Sequence, residues 1–389
     1  MENRIRLSGK FLVISVILVL IGVAALVYGF ITDPQRTWAN YLLTAFYFFL
    51  LSVGATFFLA LQSITRSGWS SGFRRVPEAM MMYLPVAGLL MIVLYFGLQY
   101  LYPWTQHAGG ADEVVQHQSP YMNVPFFFIR LVAFFAIWTL LAYLIRRASL
   151  REDLNAGSGT LRKMEKYSAI FIFFLAISFS LLGFDLIMST QAHWFSTIFS
   201  LKYFIAAFQH GTALIFILIV LMNLKGHFGF LNVYHVHDFA RYIFIVSIFY
   251  GYFWFSQFML IWYSNIPEET FYYYVRWAPE WKSVWILDIL LNWAIPFFVL
   301  LPVATSRQKW IVFVIAVTVL IGQWVDLYIT LYPAAVGKSS VGFIEAGSFL
   351  GFAGLFALIT GYHLSKASLV PENNPFIQES YEHHFESYI

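Results

Sequence analysis

The fold is decided by a stretch that begins FDLIMSTQAHWFSTIFSLKYFIAAFQHG (184–211), continues through LNVYHVHDFARY (231–242) and ends FWFSQFMLIWYSNIPEE (253–269). Two long apolar helices are predicted within it. They carry four polar side chains at or within membrane depth: Asp185, Lys202, His210 and Gln257. An ionisable group in hydrocarbon costs from about 3 to more than 10 kcal/mol unless it is paired or hydrated. The stretch therefore predicts an internal polar site that the remaining helices shield from lipid.

Composition places the whole chain in a membrane. Of 389 residues, 60% are hydrophobic and 11% are charged, whereas soluble domains carry about 25% charged residues. The net charge of +3 is small and scattered, so no nucleic-acid partner is expected. The sequence has no cysteine, which excludes cysteine-ligated iron–sulfur clusters and covalent c-type haem on this chain.

Apolar runs of about 20 residues predict ten transmembrane helices. They form one domain over 1–370, followed by a polar tail over 371–389. The first run is too long for the core of a signal peptide and is interpreted as a true helix. The predicted spans are 10–32, 39–64, 79–101, 123–146, 167–189, 198–223, 238–264, 283–303, 310–332 and 344–365.

Charge in the loops predicts the orientation. Lys and Arg are concentrated in the amino terminus, in loops 65–78, 146–166, 224–237 and 304–309, and in the tail. The positive-inside rule then places both termini in the cytoplasm, and the even number of spans agrees. Loop 146–166 is expected to be a solvated connection facing lipid headgroups. The tail is expected to extend away from the membrane and to reach a partner.

A short internal repeat suggests how the helices are grouped. The pattern D-L-x-x-S/T ends both the fifth span, at 185–189, and the ninth span, at 326–330. Because the two copies lie four spans apart, they fit two parallel four-helix bundles, spans 2–5 and 6–9, with spans 1 and 10 outside them. Repeat architectures of this kind often place a site near the interface between repeats.

The polar residues of the spans fall into two layers. The layer in the outer halves contains Arg130, Asp185, Lys202, Gln257, Asp288, Asn292, Gln323, Asp326 and Glu345. The inner layer contains Glu78, His237, Asp238, Arg241 and His363. His210 lies between them, near mid-depth. The outer layer has two interpretations: a water-accessible pocket for protons or a quinol headgroup, or buried ion pairs that hold the bundles together.

The histidines argue against a haem or metal centre. Bis-histidine haem requires axial His residues at matching depth on facing helices, and only His210 lies deep in a span. The run His235-Val236-His237-Asp238 could bind a metal, but no second cluster of ligands accompanies it. Asp238 is instead expected to cap the start of the seventh helix.

Three blocks of the chain resemble a known family: FDLIMSTQAHWFSTIFSLKYF (184–204), HDFARYIFIVSIFYGYFWFSQFMLIWYSNIPEET (237–270) and RRVPEA (74–79). They are similar to the integral membrane subunits of alternative complex III, a bacterial quinol:cytochrome c oxidoreductase. These subunits belong to the NrfD-like, polysulfide-reductase superfamily. One difference lies at 189–194, where the chain reads STQAHW and the family usually reads SLDPHW.

The resemblance implies a bacterial inner-membrane protein with ten helices in two four-helix bundles. The implied partners are a multihaem cytochrome c, an iron–sulfur subunit, a monohaem cytochrome c, a related ten-helix subunit that binds quinol, and a terminal oxidase. Haem and iron–sulfur clusters would reside on those partners. The chain looks like the second, cofactor-free ten-helix subunit, with a structural and proton-conducting role beside a menaquinol site.

Two other functions stay open at this stage. One is the quinol-oxidising subunit itself, with a pocket near Arg130, Asp185 and Lys202. The other is a proton-coupled transporter, whose discontinuous helices would carry Gly or Pro breaks in mid-span; Pro296 is the main candidate for such a break.

Overall fold

Helices account for nearly all of the regular structure. The computed structural model describes residues 4–106, 113–154 and 159–384, and these segments contain no β-strand. Ten of the helices are long and apolar enough to cross a membrane. In hydrocarbon a backbone has no water to bind, so an apolar chain must satisfy its amides internally, as a helix does. The protein is an all-α, multi-pass membrane protein, as predicted.

The ten membrane helices, named α1 to α10, agree closely with the predicted spans. Several of them extend further at their polar ends: α3 begins at Ser71 and α4 continues to Leu154. In chain order they are Gly9–Thr32, Pro34–Ile64, Ser71–Leu101, Val124–Leu154, Thr160–Thr190, Ile198–Leu224, Val233–Ser264, Lys282–Leu300, Lys309–Ala335 and Phe343–Ser365.

The helices pack as two bundles and an outer pair. In the first bundle, helices α2 and α4 each contact both α3 and α5. In the second bundle, helices α6 to α9 pack around one another. Helices α2 and α6 join the bundles, and 94% of the most apolar 18-residue segment of α2 is buried. Helices α1 and α10 pack mainly against each other, and only 17% of the corresponding segment of α1 is buried.

The two ends of the membrane helices define two faces. The terminal face carries residues 4–8 and the segment 371–384, and the opposite face carries the short helix Pro267–Trp277 between α7 and α8. On the terminal face α7 begins at Val233, five residues earlier than predicted. Its cap is Asn232, whose side chain accepts from the amides of Tyr234 and His235. The prediction that Asp238 caps this helix was therefore wrong.

The tail lies on its own chain, contrary to the expectation that it extends away. The Ser380 hydroxyl donates to the carbonyl of Trp69 over 2.8 Å, and Asn232 donates to the carbonyl of His383 over 2.8 Å. His383 also contacts Asp238, with 2.7 Å between Nε2 and Oδ2. These contacts hold the described part of the tail, up to residue 384, against the ends of α2, α3 and α7.

The described first part of loop 146–166 is helical and partly buried, contrary to the expectation of a solvated connection. Its first nine residues continue α4, and Arg146 and Glu152 are buried there. Glu152 accepts from Arg74 over 2.9 Å, and Arg146 donates to the carbonyl of Glu78 over 2.8 Å. Pairing across helices removes the cost of burying these charges, which is why the helix extends through a sequence that reads as polar.

Close backbone contact between α2 and α6 joins the bundles. A Cβ built at Gly54 would lie 1.8 Å from the carbonyl oxygen of Ala207, and one at Gly211 would lie 2.6 Å from the amide nitrogen of Ala55. Neither neighbour is a flexible side-chain end, so the helices can approach this closely only because both positions are glycine.

We expect Gly54→Ala to destabilise the junction of the bundles, because overpacking of this kind costs about 1–3 kcal/mol. Unfolding of the purified protein in mixed detergent micelles measures the loss. Gly229→Ala is the control, since a Cβ there meets no atom within 4 Å. Equal stability of the two variants would contradict the proposed role of the α2–α6 contact.

Candidate functional site

The polar layer near the opposite face is divided among separate clusters. The first lies within the first bundle, where Arg130 on α4 donates to both carboxylate oxygens of Asp185 on α5 over 2.8 and 3.0 Å. Arg130 also donates to the carbonyl of Tyr121, and its guanidinium lies 3.8 Å from the centre of the Tyr121 ring. Only 6% of Arg130 and 2% of Asp185 are exposed. Both charges of this pair are therefore neutralised by hydrogen-bonded partners inside the protein.

The second cluster lies within the second bundle and uses all four of its helices. Lys202 on α6 donates to Asp326 on α9 over 2.6 Å. Asp288 on α8 accepts instead from neutral groups: the Tyr250 hydroxyl at 2.8 Å, the Trp254 indole at 3.2 Å, and the side-chain amide of Asn292 at 2.8 Å. Lys202, Asp288 and Asp326 are all buried. Two carboxyl groups therefore lie near one ammonium group.

Amide side chains continue this cluster toward mid-membrane. Gln323 on α9 donates to the side-chain oxygen of Asn292 over 2.9 Å, and Gln209 on α6 donates to the backbone carbonyl of Asn292 over 3.0 Å. Asn292 lies in a π-helical turn, Leu290–Ala294. A π turn widens a helix locally and is frequent at functional sites. Gly322 leaves the space for Asn292, since a Cβ there would lie 2.6 Å from the Asn292 oxygen.

Several buried polar atoms in and beside the second cluster have no hydrogen-bond partner among the described residues. They are Asp326 Oδ2, Gln323 Oε1, Gln209 Oε1, Gln257 Nε2 and both ring nitrogens of His210. His210 is fully buried and packs edge-on against Tyr47 of α2, with 4.3 Å between ring centres. A buried polar group left without a partner costs about 1–3 kcal/mol. Packing alone therefore does not explain why these polar side chains lie at this depth.

A small cavity of about 20 Å³ lies between the second cluster and the short helix Pro267–Trp277. Lys202, Gln257, Asp288 and Asp326 line it, so four of the predicted residues converge on one site. A volume of this size holds about one water molecule.

Arg276 on the short helix Pro267–Trp277, outside the predicted spans, also lines this cavity. It donates to the backbone carbonyls of Ile329, Thr330 and Tyr272 over 3.0, 2.7 and 2.8 Å. Its guanidinium lies 3.4 Å from the centre of the Tyr272 ring. Burial lowers the pKa of Arg276 from its ordinary value. Only its position in an aromatic-rich segment distinguished this arginine in the sequence.

Glu345 forms a third cluster with the outer helices. It accepts from Arg36 over 2.7 Å at each carboxylate oxygen and from the Tyr332 hydroxyl over 2.7 Å. These contacts connect α10 to the start of α2 and the end of α9. Arg36 reaches the surface, with 21% of its side chain exposed.

His237 and Asp238 lie at the terminal face, at the start of α7, whereas the second cluster uses Tyr250 and Trp254 further along the same helix. His237 shares a hydrogen bond of 2.9 Å with the Ser306 hydroxyl, and Asp238 contacts His383 of the tail. No group of three or more potential metal ligands occurs in the described part of the chain. The two residues therefore attach loops and the tail to α7.

A larger ion cluster on the terminal face of the first bundle was mostly missed. It joins three arginines to three acids: Arg74, Arg75, Arg146, Glu78, Glu152 and Asp153. Only Glu78 was predicted to lie in the inner polar layer. All six residues fall in segments 65–78 and 146–166, which were interpreted as loops, so buried pairing between them was not expected. The motif RRVPEA (74–79) was the available signal, since it places two arginines within one helical turn of a glutamate.

We expect a double-mutant cycle on Arg130 and Asp185 to be strongly non-additive. Removing one partner of a buried pair costs about 3–5 kcal/mol, whereas removing both leaves no unpaired charge. The losses of stability caused by Arg130→Met and by Asp185→Asn should add up to more than the loss in the double variant, as measured by unfolding in mixed micelles. The exposed pair Arg66–Glu165 is the control and should show almost no coupling. Additive losses at 130 and 185 would contradict the pairing.

Comparison with known proteins does not identify the chain: no family model matches it, and no curated protein matches it significantly. The resemblance to the membrane subunits of alternative complex III therefore rests on the three sequence blocks and stays a prediction. These blocks coincide with the polar clusters. Block 184–204 supplies Asp185 and Lys202, block 237–270 supplies Tyr250, Trp254 and Gln257, and block 74–79 supplies the arginines and Glu78 of the terminal face.

Proposed function

We propose that this chain is an integral membrane subunit of a bacterial respiratory quinol:cytochrome c oxidoreductase of the alternative complex III type. Its terminal face would lie in the cytoplasm. The subunit would brace the complex and conduct protons through its second bundle, while haem and iron–sulfur clusters reside on partner subunits. The sequence blocks support the family. One observation carries the proton path: the buried polar file that runs from the cavity at Arg276, through Asp288 and Asn292, to Gln209.

Asp288 is the residue of this file best suited to exchange a proton. Its hydrogen-bond partners are neutral, whereas Asp185 is held by both arms of Arg130. A carboxylate fixed by a bidentate arginine would leave an unpaired buried cation if it were protonated. Asp288 can gain a proton without that cost, and the nearby Lys202 and Asp326 remain paired to each other. We therefore place proton exchange at Asp288 in the second bundle rather than at Asp185 in the first.

The amide side chains of Asn292, Gln323 and Gln209 do not themselves exchange protons. They supply donors and acceptors that would orient water along the file. His210, the neighbour of Gln209 in the chain, has two ring nitrogens without a partner among the described residues, and an imidazole can accept a proton at one nitrogen and release one from the other.

The decisive experiment is Asp288→Asn in the intact complex, reconstituted in vesicles. Positioned acid–base groups accelerate proton transfer by about 10²-fold or more, so we expect proton release per electron to fall while quinol oxidation in uncoupled vesicles continues. His210→Phe, which keeps an aromatic ring against Tyr47, should have the same effect.

Glu345→Gln is the matched control, because Glu345 is also a buried acid near the opposite face but lies outside the file. Its partner Arg36 is partly exposed, so losing the pair should leave the fold intact. Unchanged proton release in Asp288→Asn and His210→Phe would remove the conducting role and leave only bracing. Purification of the chain without haem-containing partners would contradict its place in the oxidoreductase.

A free-standing proton-coupled transporter is a second candidate, and one observation favours it. Helix α8 is interrupted beside the polar cluster by the π turn Leu290–Ala294, directly before Pro296. Interrupted helices often form the binding sites of transporters. Proton uptake by vesicles that contain this chain alone, driven by a solute gradient, would favour the transporter over the oxidoreductase subunit.

A further inference from the structure

A groove on the side of the protein, toward the terminal face, lies outside every cluster described above. It runs between the outer helices α1 and α10 and the first bundle, and it consists of two adjoining cavities of about 430 and 260 Å³. Met82 and His363 line both cavities. The two volumes therefore form one continuous depression.

The larger cavity is an apolar channel. Its walls include Leu12 of α1, Val86 of α3 and Leu358 of α10. Such walls provide no donor or acceptor for a polar ligand, but they provide van der Waals contact to a hydrocarbon chain that would otherwise lie against bulk lipid. The shape and chemistry of this part match an acyl chain.

The smaller cavity is basic. Tyr143, Arg147 and Arg151 lie four residues apart on α4 and so share one helix face, and all three are exposed and line the cavity or its rim. Neither Arg147 nor Arg151 has an ion-pair partner among the described residues. No carboxylate lines either cavity. The local charge is therefore positive and uncompensated.

Two neighbouring groups fix this basic site in place. Arg146 is buried behind it and donates to the carbonyls of Glu78 and His363 over 2.8 and 2.6 Å, which ties α4 to α3 and α10. On the other side of the groove Lys366 lies 4.7 Å from the centre of the Tyr362 ring. Tyrosines beside Lys and Arg are typical of the membrane–water interface, which is where a lipid phosphate lies.

We propose that this groove binds one anionic diacyl phospholipid. The phosphate lies between Arg147 and Arg151, and one acyl chain lies along Leu12, Val86 and Leu358. Charge complementarity selects the headgroup, because the groove carries several cations and no acid, so an overall neutral phospholipid gains less than an anionic one. The bound lipid also fills the space between the outer helix pair and the first bundle.

Native mass spectrometry of the full chain tests this assignment. The protein is equilibrated in mixed micelles that contain equal amounts of dioleoyl phosphatidylglycerol and dioleoyl phosphatidylcholine. We expect one retained phosphatidylglycerol and little phosphatidylcholine. Because each basic residue near an anionic headgroup contributes about a fivefold factor, Arg147→Gln/Arg151→Gln should lower retention roughly 25-fold. Arg162→Gln/Lys163→Gln removes two exposed charges elsewhere on the terminal face and should leave retention unchanged.

The apolar channel is tested separately. Val86→Trp fills the channel and should prevent retention although both arginines remain, whereas Leu89→Trp, at an exposed position on the same helix, should not. Equal retention of the two phospholipids by the unmodified chain would overturn the proposal, as would full retention by Arg147→Gln/Arg151→Gln. Retention by Val86→Trp would also overturn it, because the acyl chain would then not lie in this groove.

Discussion

The architecture depends on the requirement that every charge inside the membrane be neutralised by a partner on another helix. Transfer of a lone ion into a low-dielectric interior costs several kcal/mol even after relaxation. The pairs Arg130–Asp185, Lys202–Asp326 and Arg36–Glu345 satisfy this requirement. Each pair joins two helices, and a helix that rotated or slid out of register would separate its charges. The two fully buried pairs, Arg130–Asp185 and Lys202–Asp326, therefore fix the arrangement of their helices, whereas Arg36 is partly exposed and its pair contributes less.

The two bundles meet this requirement differently although they share the D-L-x-x-S/T pattern. In the first bundle the third helix supplies Arg130 to the aspartate of the fourth helix. In the second bundle the third helix supplies Asp288 instead, and the cation comes from Lys202 on the first helix. This exchange leaves a carboxyl group with only neutral donors and places a polar file beneath it. Helices in the same arrangement thus hold a carboxylate paired with an arginine in one bundle and a carboxyl group with neutral hydrogen-bond donors in the other.

Hydrophobicity made the ten helices and their order predictable, because the membrane imposes a length of about 20 apolar residues on each crossing. The partners of the polar side chains were not predictable, since depth says how far a residue lies in the membrane but not which way it faces. Arg130 and Asp185 were correctly placed at one depth, but their pairing depends on how α4 and α5 are rotated. The lengths of the helices were underestimated at their polar ends for a related reason. Arg146 and Glu152 have the character of loop residues until their partners on and beside α3 are known. The π turn at Asn292 has no signal in the hydrophobic pattern.

The two bundles differ in how their buried carboxyl groups are paired. In the first bundle Asp185 is held by Arg130 near the opposite face, and three arginines meet three acids on the terminal face. The described tail adds a further cover over the ends of α2, α3 and α7. Protonation of a carboxylate held by an arginine would leave a buried cation unpaired, which suits a brace. Buried polar atoms without a partner among the described residues occur in both bundles, for example at Tyr83 and at Gln323. The second bundle adds a small cavity lined by Lys202, Asp288 and Asp326, and that cavity supports placing the proposed proton path there.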